Sequence, residues 1–306
     1  MMNKMLLFAS VIFMATTSFS CTMENSYSDD QNLQVLQEKT FQINQGKTLK
    51  LDASSGNIEI STWDKNEVYV KISGNNRAKE KTEFTFSNDE NMVEITAKTK
   101  SSFFGWNKGI KLKFDIKLPK NFNPETHTSG GNIKLEGLNG NPDLKTSGGN
   151  IYVKNSSGNI RTNTSGGEIR VENVSGSMKL STSGGNISAN NFNGNFDART
   201  SGGNIKLAGN DSKIYAETSG GDIKLDYKGQ NKGIELNTSG GDIDINLPAD
   251  INAAANLSSS GGRISCDFKG NNAVKVSSSK FEADINNGGN PLYAKTSGGD
   301  IEVSKK

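Results

Sequence analysis

From Thr128 to the end of the chain, apolar residues return in a fixed frame. Ile133, Ile151, Ile169, Ile187, Ile205 and Ile223 stand 18 residues apart, and Ile243, Ile264 and Ile301 continue the column at looser spacing. Two residues after each comes Leu135, Val153, Val171, Ala189, Leu207, Leu225, Ile245, Cys266 or Val303, with a polar residue between. Alternation by two is the pattern of a half-buried strand. Nine residues after the Ile a second strand begins, at Ile160, Met178, Phe196 and Ile214, and its alternation runs on to Thr164, Thr182, Thr200 and Thr218. Those threonines open a recurring phrase, TSGG[ND]I, and the same alternation turns them inward.

Each unit therefore reads as strand, turn, strand, turn. The Gly pair of the phrase (Gly148–Gly149 and its equivalents) makes one corner, because Gly accepts a positive φ; a single Gly (Gly140, Gly158, Gly176, Gly194) makes the other. One unit alone has no core. Stacked in parallel, the units turn each column into a continuous buried ladder. This predicts an all-β chain: a parallel β-solenoid (β-helix) with about 18 residues per coil, right-handed by the general bias of parallel crossovers. A hexapeptide helix does not fit, since the positions six after the Ile (Asn139, Ser157, Ser175, Asn193) are polar. Calcium-binding nonapeptide repeats do not fit either, because the Gly pair is followed directly by a polar residue and Ile.

Between Thr40 and Leu118 the period is lost and the strands lengthen: EVYVKIS, TEFTFS, NMVEITAK and KLKFDIKL each alternate. A cousin of the phrase stands at Ser54–Ile58. Residues 39–125 are expected to form a β-rich entry region that covers the first coil of the repeat solenoid at 126–306. Within it, SSFFGWNKG gathers Phe103, Phe104 and Trp106 beside Lys108. These rings are candidates for an exposed contact loop, or for a plug in the end of the core. Near the other end the phrase erodes to SSKFEA, with Lys280 and Phe281 in place of the Gly pair; this atypical turn reads as a contact site or as part of a terminal cap.

Residues 1–20 have the make-up of a signal peptide: Lys4, an apolar run from Met5 to Ala15, and the small-x-small end Ser18–Phe19–Ser20. Cys21 follows directly, as in bacterial lipoproteins, although Ser18 departs from their usual aliphatic. Cys21 is the expected lipidation site, and 21–38 the polar tether behind it. The expected address is the cell envelope, with the membrane reached through lipidated Cys21 at the outer membrane or cell surface, or otherwise periplasmic or secreted. With 2 Cys in all, no disulfide framework exists. Lys+Arg 35 against Asp+Glu 33 leaves no basic excess, so nucleic acid is not an expected partner.

The repeats, the strand–Leu–Pro segments FDIKLPKNFNPETHTSGGNI and IDINLPADINAAANLSSSGGRI, and the closing GGNPLYAKTSGGDIEV together resemble the bacterial putative-adhesin family of β-strand (SGG[ND]I) repeat proteins. The resemblance covers roughly residues 38–306 and implies the solenoid fold; the family's function is unknown, and it supplies no catalytic or cofactor-binding motif. The expected function is a non-catalytic surface-contact lipoprotein whose partner is an envelope or surface ligand, glycan or protein, with no cofactor and no metal. Two rivals stand beside it. One is a polysaccharide-acting β-helix enzyme, which would need clustered carboxylates on an outer face; the outward columns alternate in sign instead. In the column of Asp222, Asp242 and Asp300, Arg263 falls between the last two in sequence. The other is a protein-binding scaffold of envelope-stress or regulatory pathways. The single His127 offers neither a triad nor a metal cluster.

Overall fold

The computed structural model describes residues 33–100 and 109–306, apart from the side chains of 273–276. The 18-residue units stack as parallel strands in register: Ile151 pairs with Ile169, Ile169 with Ile187, and Ile187 with Ile205. Two walls result. In one, the Ile column and the residue two further on face inward; in the other, the strand ending at the phrase's Thr does so. Both sets are buried, the Thr side chains included, except at Ile264 and Cys266, which are half-buried.

The corner between the walls is held by three groups. The hydroxyl of Thr182 donates to the carbonyl of Gly167 in the neighbouring layer (2.8 Å) and accepts the N–H of Gly185 (3.3 Å). The same pair of bonds recurs at Thr146, Thr164, Thr200, Thr218, Thr238 and Thr296, and at Ser259, where Ser keeps the hydroxyl. The second Gly of each phrase sits so close to its neighbour that a Cβ on Gly149, Gly167, Gly185, Gly203 or Gly221 would lie 1.8–2.1 Å from a Gly carbonyl oxygen. The first Gly has nothing nearer than 3.7 Å at Gly148, Gly166, Gly184, Gly202 or Gly220. The Gly pair is thus required by close approach at its second member. The expectation of a positive φ holds only at Gly131 among these phrases.

The residue before each Ile forms a further ladder. The side-chain oxygen of Asn132 accepts the N–H of Asn150, Asn150 that of Glu168, and Asn186 that of Asn204; Asp222 and Asp242 do the same for their neighbours. This explains the [ND] of the phrase: a short acceptor that reaches one layer over.

The second corner differs from its predicted form. It is spread over Asn155, Asn173 and Asn191, at φ 50–54°, and the glycines three residues on (Gly158, Gly176, Gly194), at φ 110–118°. Between them lies an inward position, occupied by Leu138, Ser156, Val174 and Phe192, all buried. The left-handed Asn resets the inside–outside alternation, so the buried residue falls five after the Ile, one short of the polar position the sequence pattern highlights. The two strands of a unit are also continuous here, as in Ile151–Thr164.

At both ends the stacking leaves sequence order. The coil of strands Thr48–Ala53 and Asn57–Trp63 lies between the coil Asn123–Thr128/Ile133–Glu136 and an outermost coil, Met92–Thr99/Leu112–Pro119. Ile58 therefore pairs with Ile133, 75 residues away. At the far end the last coil, Pro291–Thr296/Ile301–Lys305, is inserted between Ile234–Asn237/Ile243–Leu247 and the outermost coil, Ala253–Ser259/Ile264–Cys266. Antiparallel strands flank these outer coils: Thr82–Asn88, Glu67–Gly74 and Gln34–Gln42 at one end, Lys280–Ile285 and Gly270–Ser277 at the other.

Three boundaries change accordingly. The tether read as ending at 38 gives way to a strand at Gln34. The division at 125/126 falls inside the strand Asn123–Thr128. The stretch read as an eroded phrase at Ser278 is the turn of an antiparallel hairpin.

The close approach of the second Gly yields a sharp contrast. Gly185→Ala should destabilise the protein by about 2–4 kcal/mol, because its Cβ has only backbone to push against. Gly184→Ala, with the nearest atom at 3.8 Å, should stay within about 0.5 kcal/mol. Parallel thermal and urea melts check this; equal losses would contradict the corner geometry.

Candidate functional site

The outer surface of the Ile wall sets aromatic and charged groups side by side. Strand register sets its outward side chains in two rows. One runs Lys71, Asp115, Glu59, Lys134, Tyr152, Arg170; beside it runs Tyr69, Lys117, Ser61, Glu136, Lys154, Glu172. Over the first four strands the rows line a groove of about 360 Å³. At its rim stands Trp63, whose ring lies 6.1 Å from that of Tyr69, with Lys65 and Lys117 at 4.6 and 5.6 Å from the Trp63 ring. The indole N–H donates to the Glu67 carbonyl (2.9 Å), which pins the ring in place. A half-buried, pre-oriented indole flanked by ammonium groups is well suited to contact, since aromatic anchors concentrate interface energy.

Three carboxylates, Glu59, Asp115 and Glu136, line the groove, so acid–base chemistry has to be weighed. Lys113 lies 3.4 Å from both Glu59 and Asp115. Burial alone would lower the Lys113 pKa, but Asp115 and Glu59 outweigh it and hold the ammonium above its usual value. The Lys113 ammonium thus ties Glu59 and Asp115 together in one ion-paired group. Further along, Tyr152 donates to Glu172 (2.8 Å), which also accepts from Arg170. Burial, then the bond to Glu172, pushes the Tyr152 hydroxyl up to about 12. The same hydrogen bond, with help from Arg170, lowers the pKa of Glu172.

The other expected sites fall as follows. Cys21, Phe103, Phe104 and Trp106 lie outside the described residues. Lys280 and Phe281 begin the second strand of the terminal hairpin. Phe281 is buried opposite Leu257, and Lys280 pairs with Glu282 at 2.9 Å. Cys266 is a free, half-buried thiol in the outermost coil, with a pKa raised by burial. His127 Nδ1 lies 3.0 Å from Asp52, an outward pair across neighbouring layers.

The order of the acidic column is corrected. Because the last coil is inserted inward, Asp300 sits between Asp242 and Arg263, so Asp222, Asp242 and Asp300 occupy consecutive layers. Each turns one oxygen to the next layer's N–H. Among the described residues no group of three His, Cys, Asp or Glu side chains is placed to hold a metal ion, and no helix is long and apolar enough to cross a membrane. A polar recess of about 670 Å³ forms where three irregular loops meet around Asn231. The Asn231 amide is spent on the carbonyl of Asn290 (2.8 Å) and the N–H of Gly233 (2.9 Å), which tie the loops together. Sequence reasoning missed Trp63 and the groove; the only local signal was a Trp closing an alternating strand.

The family model described as Toastrack DUF4097 matches residues 46–304. No curated protein matches the chain. Among solved structures, it is similar to a putative adhesin from Parabacteroides distasonis (10% identity, 90% of this chain and 98% of that one, TM-score 0.38). A putative adhesin from Parabacteroides merdae is similar at 12% identity, 90% and 97% coverage and a TM-score of 0.36. A protein from P. distasonis described as a putative lipid binding protein is similar at 13% identity, 90% and 98% coverage and a TM-score of 0.34. At these scores no functional argument rests on the structures. None of the names is that of a catalytic family.

The Tyr152 hydroxyl gives the face a pH signature. With a folded value of about 12 above an unfolded value of about 10, its contribution to stability is whole below pH ~10 and is lost as pH rises towards 12. Tyr152→Phe should therefore lose less stability than the wild type between about pH 10 and 12. Identical alkaline slopes in paired melts would contradict the assignment.

Proposed function

Because the chain belongs to the Toastrack DUF4097 family, whose name specifies no reaction, we propose that it is an exported, non-catalytic contact protein of the cell envelope. In this reading residues 1–20 are removed on export, Cys21 carries the lipid that holds the protein on a membrane, and 22–33 form the tether. The solenoid, with right-handed coils of about 18 residues, presents its outer walls to a surface glycan or protein. The adhesin-type role rests on one observation above the rest: the pinned Trp63 beside Tyr69, at the rim of a groove with alternating charge.

Two experiments test the reading. Labelled palmitate should enter the wild type, and Cys21→Ser should release the protein from membranes; a wild type already soluble, with an unmodified Cys21, would remove the anchor. A glycan array and a cell-binding screen test the contact role. Trp63→Ala with Tyr69→Ala should weaken any binding found by about tenfold or more, as loss of an aromatic hot spot does, with the melt nearly unchanged. Undiminished binding by the double variant would move the contact site away from this groove.

A further inference from the structure

One corner of the domain differs in charge from the rest. The short helix Asn76–Lys81 is capped by Asn75, whose side chain accepts the Ala78 N–H (2.9 Å). Ala78 is the helix's buried residue, packed beside Gly74, so Arg77, Lys79 and Lys81 stand in solvent. Beside them lie Lys98 and Lys100, at the end of the strand Met92–Thr99; the Lys100 N–H donates to the Lys81 carbonyl (2.8 Å). Arg77 passes 3.9 Å from the Cβ position of Gly109, and Asn75 donates to the Gly109 carbonyl (2.7 Å). Residues 75–83, 98–100 and 109–111 hold six basic side chains and two acidic ones, Glu80 and Glu83, while the whole chain has a net charge of only +2. None of Arg77, Lys79, Lys81, Lys98 and Lys100 makes an ion pair with a described carboxylate. Elsewhere on the surface, lysines such as Lys50, Lys120 and Lys145 are paired.

The described chain also begins at this corner. Gln34 pairs with Gly74, and its side chain donates to Asn76 (2.7 Å). The segment that carries Cys21, twelve residues before Leu33, thus joins the domain at the first residue of this helix. Twelve residues reach at most about 40 Å. We propose that Arg77, Lys79, Lys81, Lys98 and Lys100 form a docking surface for an anionic phospholipid bilayer, which sets this end of the solenoid on the membrane. Ammonium and guanidinium groups without an ion-pair partner, gathered at one corner around Glu80 and Glu83, match the phosphates of a bilayer surface. Each basic group beside an anionic leaflet is worth about a fivefold factor in binding. The groove at Trp63 lies on the Ile wall and remains open to partners.

The inference adds to the reading of Cys21 as an anchor, and the two fail separately when the test uses the exported Cys21→Ser chain. That protein is sedimented with vesicles of phosphatidylglycerol and phosphatidylcholine, or of phosphatidylcholine alone. Binding to the anionic vesicles only is expected, and it should weaken at about 0.5 M salt as screening shortens. Adding Lys79→Gln, Lys81→Gln, Lys98→Gln and Lys100→Gln should reduce binding about 100-fold or more, with an unchanged melt. A control removes the same number of charges from the solenoid walls: Arg161→Gln, Lys179→Gln, Lys206→Gln and Lys228→Gln. It should bind like the parent. Equal losses in the two sets, no binding to anionic vesicles, or equally tight binding to a DNA duplex would each overturn the docking surface.

Discussion

The structure depends on how closely one backbone can approach the next at the corner between the walls. The carbonyl of the second Gly in each phrase accepts the neighbouring layer's Thr hydroxyl and lies where that layer's own second Gly could not carry a Cβ. Hydroxyl, carbonyl and missing side chain form one locked unit, repeated layer after layer. It settles three of the phrase's positions at once: the Thr, the second Gly, and, through the acceptor ladder beside it, the Asn or Asp. The outward residues touch none of this, which leaves the walls free to carry any charge pattern without disturbing the stack.

An open stack of parallel strands exposes an unpaired edge at either end, a template for aggregation. Here antiparallel strands occupy those edges at both ends of the Thr wall, and at one end of the Ile wall. The other end of the Ile wall finishes in the three-residue strand Ile264–Cys266, too short to template much pairing. The terminal coils depart from the repeat because their task is closure. That explains why Phe281, which breaks the phrase, is buried against Leu257 as part of a lid on the core.

How much of this was legible in the sequence follows from the range of each interaction. The Ile column, the inward Thr and the unit length rest on alternation within a few residues, and they could be read directly. The buried Leu138, Val174 and Phe192 could not, because a left-handed residue just before each (Gly137, Asn173, Asn191) shifts the alternation by a step that no hydrophobic pattern announces. Layer order at the ends was hidden for another reason: Ser54–Ile58 looks like an isolated cousin of the phrase until its partner, 75 residues on, is known. The groove shares that difficulty. Trp63, Tyr69, Lys117 and Glu136 come from four strands, and only the inserted coil brings them side by side.

The insertion of the first and last coils one layer inward has a bearing on how the chain acquires its shape. A solenoid stacked strictly in order can add coils one after another in the order of the chain. This one cannot begin that way, since the coil 48–63 lacks both neighbours until residues 92–136 join it. The final coil must then enter between two that precede it. Loop closure over such separations is slow compared with local pairing. The nucleus is therefore best placed in the ordered run from Ile151 to Glu217, with both ends sealed last. Once sealed, neither terminal coil can peel away without displacing the coil outside it, so unravelling from either end starts against a clasp.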